Sequence, residues 1–476
     1  MREFFTRMSR RASIAGSRPA VTTPDGSLSY EQLLARVRAA AQWSSALPRR
    51  VGLLFGNSLD AIVADLALTF AGKELVPLPA FFSDAQLGHV IAAARLSHAV
   101  ADRDLVERAR RLGLLAFVPS ASAMPAMWPA PDATRIIFTS GTTGHPKGVR
   151  LSSRQVLASV AALAEVTGAT TDDRYLSLLP SALLLEQVAG TYLPLSVGAE
   201  ICLPGGQAAH PAKAAADAAE ALRPTATVLV PELLAGWLHE LHKAGRRAPA
   251  SLRYVAVGGA PVAPTLAAAA WSQGLPVHEG YGLSECCSVV SVNRIAGRRG
   301  GTVGRPLPNI QVAIEGGEIL VRGPTVMDGY LEEPHGMDAW RTGDLGHFDP
   351  DGFLVVTGRK DNVIVTRAGR NISPEWVEDA ILAEARIRRC VAVEHAGELV
   401  AVVVPREPST GVPPAVGDLV RGAVRAMPDY AKPRRLLVVT EEELLGSKLL
   451  TANFRPRRAA IRRYVSQCEH RLSQQT

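Results

Sequence analysis

Aromatic residues are scarce in this chain, at 5% of 476 positions, and cysteines number only five. Apolar residues make up 47%, so a large core is available, built from Leu, Val, Ile and Ala rather than from stacked rings. That content, with charged residues at 20%, excludes a disordered chain. Cys202, Cys286, Cys287, Cys390 and Cys468 form no CxxC pair, and only Cys468 has a histidine close by, His470. One such pair makes no metal pattern, so reduced thiols in a cytoplasmic protein are expected. Long apolar runs are missing as well. The basic start, MREFFTRMSRRASIAGSRPA, has no apolar h-region, so neither a secretion signal nor a membrane span is expected. A lipid anchor stays open. The formal charge of +7, from 52 basic and 45 acidic residues, is mild on this length. It favours anionic small molecules and gives no sign of nucleic-acid binding. Arg455, Arg457, Arg458, Arg462, Arg463 and Arg471 crowd the end of the chain. They read either as a solvated basic face or as a patch meeting a phosphorylated partner.

The length suits roughly three domains, or one large α/β unit with a small one. Short apolar runs alternate with helical patterns. SYEQLLARVRAAAQWSSAL reads as a helix capped by Ser29, and SLDAIVADLALTFAG as one ended by Gly72. RVGLLFG, ELVPLP, TRIIFTS, RYLSLLP, AEICLPG, ATVLVP and RYVAVGG read as strands between helices. This is the rhythm of parallel sheet. From 286 to 358 the texture changes to glycine-punctuated strands without long helices. That predicts a small barrel or folded sheet. A second, smaller α/β unit follows, with WVEDAILAE as a helix and CVAVEHAG, ELVAVVVP and RRLLVVT as strands. The expected division is a large domain at 1–359 and a small one at 360–476, with a hinge near Arg359 to Asp361.

One segment carries a chemical signal of its own. TSGTTGHPKGV, 139–149, packs three glycines, four hydroxyl side chains and one lysine into eleven positions. Successive backbone N–H groups in a glycine turn make an anion nest, the hydroxyls add donors and Lys147 adds mobile positive charge. SSRQVLASVAALAEVTG follows as a helix whose amino terminus would add further N–H groups. A strand–loop–helix of this kind suits a polyphosphate. It is not a P-loop, because Pro146 rather than glycine precedes the lysine.

Further motifs occur in a set order: LPSALLLEQ at 179–187, VGGAPV at 257–262, EGYGLSE at 279–285, WRTGD at 340–344, GRKDN at 358–362 and GRNISPEWVE at 369–378. Together with the glycine loop they resemble the signatures of the adenylate-forming enzymes, which include acyl-CoA synthetases, aryl-CoA ligases, luciferases and peptide-synthetase adenylation domains. The resemblance runs from about 30 to 460, nearly the whole chain. It implies a large domain of parallel sheets with helices and a small β-barrel-like subdomain, followed by a small mobile α+β domain. It also implies a reaction in which a carboxylate attacks the α-phosphorus of ATP with magnesium present. An acyl-adenylate forms, and the thiol of coenzyme A then displaces AMP.

Residue by residue, the resemblance implies that Thr139, Ser140, Gly141, Thr142, Thr143, Gly144 and Lys147 hold the phosphates. Gly259, Ala260 and Pro261 would border the adenine and the acyl group, with simple turn duty as the competing reading. Glu279, Gly280, Tyr281 and Gly282 would continue the nucleotide site, Tyr281 stacking on the base. Ser284 would contact the α-phosphate, and Glu285 would help hold magnesium. Asp344 would accept both ribose hydroxyls, and Arg359 would meet ribose or phosphate. Asp361 would be the hinge, and Gly369 would approach the cleft in the thiol-transfer step.

Three positions depart from the family pattern. Leu183 stands where many relatives carry a histidine or aromatic, and Ser153 where a histidine is common after the glycine loop. The closing segment, LLTANFRPRR, has Arg455 where relatives carry a catalytic lysine. A guanidinium keeps the charge but brings a rigid, bulkier fork. Arg455 then does the job with altered geometry, or Lys448 swings in, or adenylation is slow. Glu186 and Gln187 resemble the fatty-acid branch. The leading expectation is a carboxylate–CoA ligase for a fatty or aryl acid. An adenylation protein loading a separate carrier protein and a non-catalytic nucleotide-binding partner are the alternatives. Lys147→Ala is expected to weaken polyphosphate handling, and Arg455→Ala to lower acyl-adenylate formation more than nucleotide binding. Equal activity of Arg455→Ala and the parent in the isolated first half-reaction would reject the role given to Arg455.

Overall fold

The computed structural model describes residues 1–15, 17–44, 46–118, 132–139, 147–205, 210–333, 339–365, 371–406, 414–450 and 456–474. They divide into two compact units. One comprises Met1–Val262, Ala268–Ala313 and Leu320–Arg341; the other comprises Ala263–Ala267, Ile314–Ile319 and Thr342–Thr476. Among the described residues no helix is long and apolar enough to cross a membrane.

Two large sheets build the first unit. A six-stranded sheet runs in the order Leu115–Phe117, His98–Ala101, Arg50–Leu54, Glu74–Pro77, Thr134–Thr139, Lys147–Ser152. All of its pairs are parallel except the last. The core of the nine-stranded sheet is also parallel, with Tyr254–Val257 between Ala226–Leu229 and Val277–Tyr281. The helices between strands follow their sequence signals. Ser29 caps Tyr30–Ser44 through a reciprocal pair: Ser29 N donates to Gln32 Oε1 at 2.9 Å and Gln32 N to Ser29 Oγ at 3.2 Å. Leu59–Phe70 is buried from Ala61 through Phe70, as a helix apolar all round must be.

Of the two forms expected at 286–358, the described residues show a folded sheet and no closed barrel. Ser291–Val292 and Arg305–Pro306 instead extend the nine-stranded sheet antiparallel beyond Val277–Tyr281. Gln311–Glu315, Glu318–Arg322, Ala339–Phe348 and Leu354–Arg359 form an open four-stranded sheet. Closure needs enough strands with matched tilt and stagger, and four strands beside two two-residue pairings do not supply them. The basic start holds a helix that its charge concealed. Arg2–Ala15 buries Phe4, Phe5 and Met8, with the Phe5 ring 5.0 Å from that of Phe70.

The second unit carries a four-stranded sheet ordered Ile387–His395, Glu398–Pro405, Arg435–Val438, Ser473–Gln474. Its apolar run ELVAVVVP serves two faces at once. Leu399, Ala401 and Val403 pack with Val377, Ile381 and Val420, whereas Val400, Val402 and Val404 pack with Leu444, Ile461 and Val465. Side chains alternate across a strand, so a sheet covered on both faces reads as continuous apolar sequence.

Two buried polar clusters hold the interior of the first unit. Arg135, on Thr134–Thr139, meets Asp65 with both terminal nitrogens, at 2.5 and 2.7 Å, and also donates to Gln187 and Thr69. A buried guanidinium is tolerated when it is this fully paired. Glu186 has no such cation. It opens a π-helical turn, Glu186–Tyr192, and accepts from Ser177 Oγ at 2.6 Å and Tyr175 OH at 3.0 Å. The turn requires glycine at 190, where a Cβ would lie 2.3 Å from Glu186 Oε1. Burial pushes the Glu186 carboxyl up to about 7 from 4.5. Between those values the folded chain holds a proton that the unfolded chain has lost. Stability therefore falls as pH rises through this window, by up to about 1.4 kcal/mol per unit, and levels off above it. Glu186→Gln should remove that slope. Denaturant unfolding at pH 5 and 7.5 should show the parent losing stability relative to the variant; equal losses would contradict the assignment.

Candidate active site

The glycine-rich segment joins two paired strands. Thr134–Thr139 and Lys147–Ser152 run antiparallel, with Thr139 opposite Lys147. This corrects the strand–loop–helix order expected from sequence. The helix starts only at Ser153, at the far end of a strand roughly 17 Å long. Two N–H groups at its start are already bonded: Ser152 N donates to Gln155 Oε1 at 2.9 Å, and Ser153 N to Ala133 O at 3.0 Å. Those N–H groups therefore do not serve the loop. Ser140, Gly141, Thr142, Thr143 and Gly144 lie outside the described residues, as do Gly369 and Arg455.

The strand after the loop carries Lys147 and borders segment 328–331. Asp328 N donates to Arg150 O at 3.0 Å, Arg150 N to Gly329 O at 3.0 Å and Leu331 N to Gly148 O at 2.7 Å. This pairing sets Tyr330 opposite Val149. Lys147 Nζ lies 5.0 Å from the centre of the Tyr330 ring, within reach of a cation–π attraction. At its other end Tyr330 OH donates to Glu285 Oε1 at 3.1 Å. The edge of Trp340 packs on the same ring, at 5.8 Å. One tyrosine thus stands between a cation and a carboxylate from distant stretches of chain.

Glu285 sits in a tight excursion of backbone. Gly282 begins it, where a Cβ would lie 1.7 Å from Ser288 O. Ser284–Cys286 forms a single 3-10 turn. Cys287 and Ser288 then take φ values of 52° and 85°, a conformation costly for residues with a Cβ. Val290 N returns to Tyr281 O at 2.8 Å. The helix Ser153–Thr167 props this excursion and its neighbour: Ser159 Oγ donates to Cys287 O at 3.0 Å, and Gln155 Nε2 to Val326 O at 3.1 Å. Met327 N donates to Glu285 O at 2.8 Å. Cys286 and Cys287 are buried, and burial pushes the Cys287 thiol up to about 12, which disfavours the reactive thiolate.

Two neighbouring parallel strands deliver the remaining residues of this unit. Tyr254–Val257 and Val277–Tyr281 end side by side, with Val257 opposite Glu279. Gly258 follows, where a Cβ would meet Gly280 O at 3.2 Å, and Gly259 has φ +83°. Ala260 and Pro261 are exposed beyond it. Loops at the carboxyl ends of parallel strands are where α/β sheets bind ligands. Gly259, Ala260, Pro261, Tyr281, Gly282, Ser284 and Glu285 all leave that edge. Glu279 points elsewhere. It is buried against Arg298, at 3.0 Å, and accepts from Asn293 Nδ2 at 3.2 Å; burial raises its pKa.

The second unit pairs two of the expected residues directly. Asp344 lies opposite Arg359 in an antiparallel ladder, and Arg359 Nη1 is 3.0 Å from Asp344 Oδ1. Asp344 is buried within the strand Ala339–Phe348 rather than at a strand end. Its own N–H donates to Thr342 Oγ1 at 3.0 Å. Asp361 is exposed in the turn Lys360–Asn362.

The profile of the AMP-binding enzyme family matches residues 8–331. The chain belongs to the AMP-binding enzymes. Two relatives and one solved structure are similar to it. A putative fatty-acid–CoA ligase, fadD11 of Mycobacterium tuberculosis, is 33% identical over 53% of this chain and 54% of its own, so the chain spans about half the length of that relative. The 2-succinylbenzoate–CoA ligase of Bacillus licheniformis is 28% identical over 80% of this chain and 84% of its own. Among solved structures, o-succinylbenzoate CoA synthetase of Bacillus subtilis, in complex with its acyl-adenylate, shares the fold with a TM-score of 0.82. It has 23% identity and covers 96% of this chain and 97% of that one.

In this AMP-binding enzyme the sequence reading missed Tyr330, Gln155 and Ser159. No spacing rule singles out a tyrosine in MDGYLEEP, because its role depends on pairing with a strand about 180 residues earlier. Tyr330→Phe keeps the ring over Lys147 and removes the donor to Glu285. One hydrogen bond to a charged group contributes about 1.5 kcal/mol, so pyrophosphate release with ATP, magnesium and an acid should slow on the order of tenfold. An unchanged rate would show that this bond does not orient Glu285.

Proposed function

We propose that this chain activates a carboxylic acid with ATP and passes the acyl group to the thiol of coenzyme A. In the first step a carboxylate oxygen bonds to the α-phosphorus and the bond to the bridging β-phosphate oxygen breaks, releasing pyrophosphate. In the second the thiol sulfur bonds to the acyl carbon, the carbon–oxygen bond to AMP breaks and the thiol proton is released. The observation that carries this reading is Lys147 and Glu285 held on either side of Tyr330, at the base of the glycine-rich segment.

Two anions must meet in the first step, so the site has to offer positive charge and fixed geometry. Lys147 supplies charge where the loop 140–146 would cradle phosphates. Glu285 offers one half-buried carboxylate. That suits magnesium, which takes one or two protein carboxylates and leaves its other positions to phosphates and water. Among the described residues no cluster of three or more metal-ligating side chains occurs. Magnesium would neutralise phosphate charge as the α-phosphorus is attacked. Ser284 follows as the hydroxyl at the α-phosphate, and Tyr281 as the ring beneath the base. Asp344 and Arg359 follow as the ribose pair and Arg455 as the cation at the reacting groups. Asp361 follows as the pivot and Gly369 as the residue nearest the incoming thiol.

An apolar acid is favoured at Leu183, which has no hydrogen-bond donor in its side chain. The backbone beside it is pinned: Ser181 N donates to Asn57 Oδ1 at 2.6 Å, and Gln187 Nε2 to Ser181 O at 3.1 Å. The relatives named for fatty-acid and 2-succinylbenzoate ligation support fatty and aryl acids as the first classes to test. The five cysteines are buried and form no disulfide, which supports a reducing compartment. A panel of such acids with ATP, magnesium and coenzyme A, read by mass spectrometry, should give acyl-AMP and then acyl-CoA. Acyl-AMP discharged only by a holo carrier protein would move the acceptor to that partner. Nucleotide binding without acyl-AMP from any acid would overturn the reading.

A further inference from the structure

In the second unit, one carboxylate joins two segments that the proposed reaction needs to control. Glu375 lies in the first turn of the helix Pro374–Leu382. Its Oε1 accepts from Asn362 Nδ2 at 2.7 Å and from Arg458 Nη2 at 3.0 Å; its Oε2 is 2.9 Å from Ser373 Oγ. Asn362 immediately follows Asp361. Arg458 opens the helix Arg458–Gln467 and stands three positions after Arg455. Arg458 is further held by Glu378, with Nη2 to Oε2 at 2.9 Å and Nη1 to Oε1, and donates to Ala392 O at 2.9 Å.

We propose that Glu375 is a positioning residue: it fastens the chain just after the hinge to the helix that follows Arg455, so that both travel as one body. This rests on the reading that the chain pivots near Asp361 and that Arg455 serves the first half-reaction. The geometry also says where the pivot begins. Asn362 is bonded to the helix start and cannot be part of a free joint while that bond lasts. Ahead of it, Ser373 Oγ also lies 2.8 Å from Thr357 O. A serine hydroxyl has a single proton, which serves either Thr357 O or Glu375. A turn about Asp361 that carries Ser373 away from Thr357 leaves that proton to Glu375 and leaves the Asn362–Glu375–Arg458 link intact. Gly358 makes the present arrangement possible: a Cβ there would lie 2.2 Å from Ser373 Oγ and 2.9 Å from Glu375 Oε2.

An acid in a first helical turn also stabilises the helix dipole, so the test must separate that role from a link. Glu375→Ala, Glu375→Gln and Asn362→Ala of the full chain are compared in two separate assays. One follows acyl-AMP formation from acid, ATP and magnesium; the other follows thioester formation from supplied acyl-AMP and coenzyme A. Glu375→Ala should slow the first about tenfold and the second less than threefold, with Glu375→Gln between parent and Ala. Backbone hydrogen exchange should rise together at 359–363 and 456–460 in Glu375→Ala, and at 359–363 alone in Asn362→Ala. Equal slowing of both half-reactions alongside a lower Tm, or exchange that leaves either segment unchanged in Glu375→Ala, overturns the proposal. A parent that makes no acyl-AMP from any acid overturns the proposed activity instead, and the exchange pattern then decides the link on its own.

Discussion

The site in the first unit depends on the pairing of segment 328–331 with the strand that follows the glycine-rich loop. Backbone hydrogen bonds fix this register at three points, and a slip of one residue would turn Tyr330 to the other face. With the register set, the ring lies beside Lys147 and the hydroxyl reaches Glu285. The remaining features support that contact. The helix Ser153–Thr167 holds both neighbouring loops, and Gly282 lets the backbone fold sharply enough to present Ser284 and Glu285. Sheet edge, cation and carboxylate form one mechanical unit.

Much of the fold was legible because its signals are local. Ser29 with Gln32, and the apolar runs at Arg50–Leu54 and Ala226–Leu229, each announce their structure within a few residues. Some motifs were legible for the same reason, since VGGAPV and EGYGLSE are short glycine-bearing turns at strand ends. Features that depend on distant partners were not. VRLSS could not be told from the start of the following helix, because its strand character comes from the ladder with Thr134–Thr139. A two-residue strand such as Ser291–Val292 gives no sign of whether it closes a barrel or extends a sheet. The helix Arg2–Ala15 was hidden by Arg2, Arg7 and Arg10, which face solvent while Phe4, Phe5 and Met8 face inward.

Charge follows a common rule in both units. Where a charge is buried with an opposite partner, as Arg135 with Asp65 or Arg458 with Glu378, several hydrogen bonds accompany it. Glu186 has hydroxyl and backbone N–H partners but no cation, and its carboxyl is pushed towards the neutral form. Lys147 and Asp361 stand in the open, where charge and backbone remain available for a ligand or a movement. Interior charges such as Arg135, Asp65 and Arg458 thus hold the scaffold.

The most direct test of the central claim is hydrogen exchange of the full chain with and without saturating ATP and magnesium. Tyr330 couples three pieces of backbone, so the nucleotide should slow exchange in peptides covering 147–152, 282–290 and 326–331 together. Slowing in none of them, or in 326–331 without 282–290, would contradict the account.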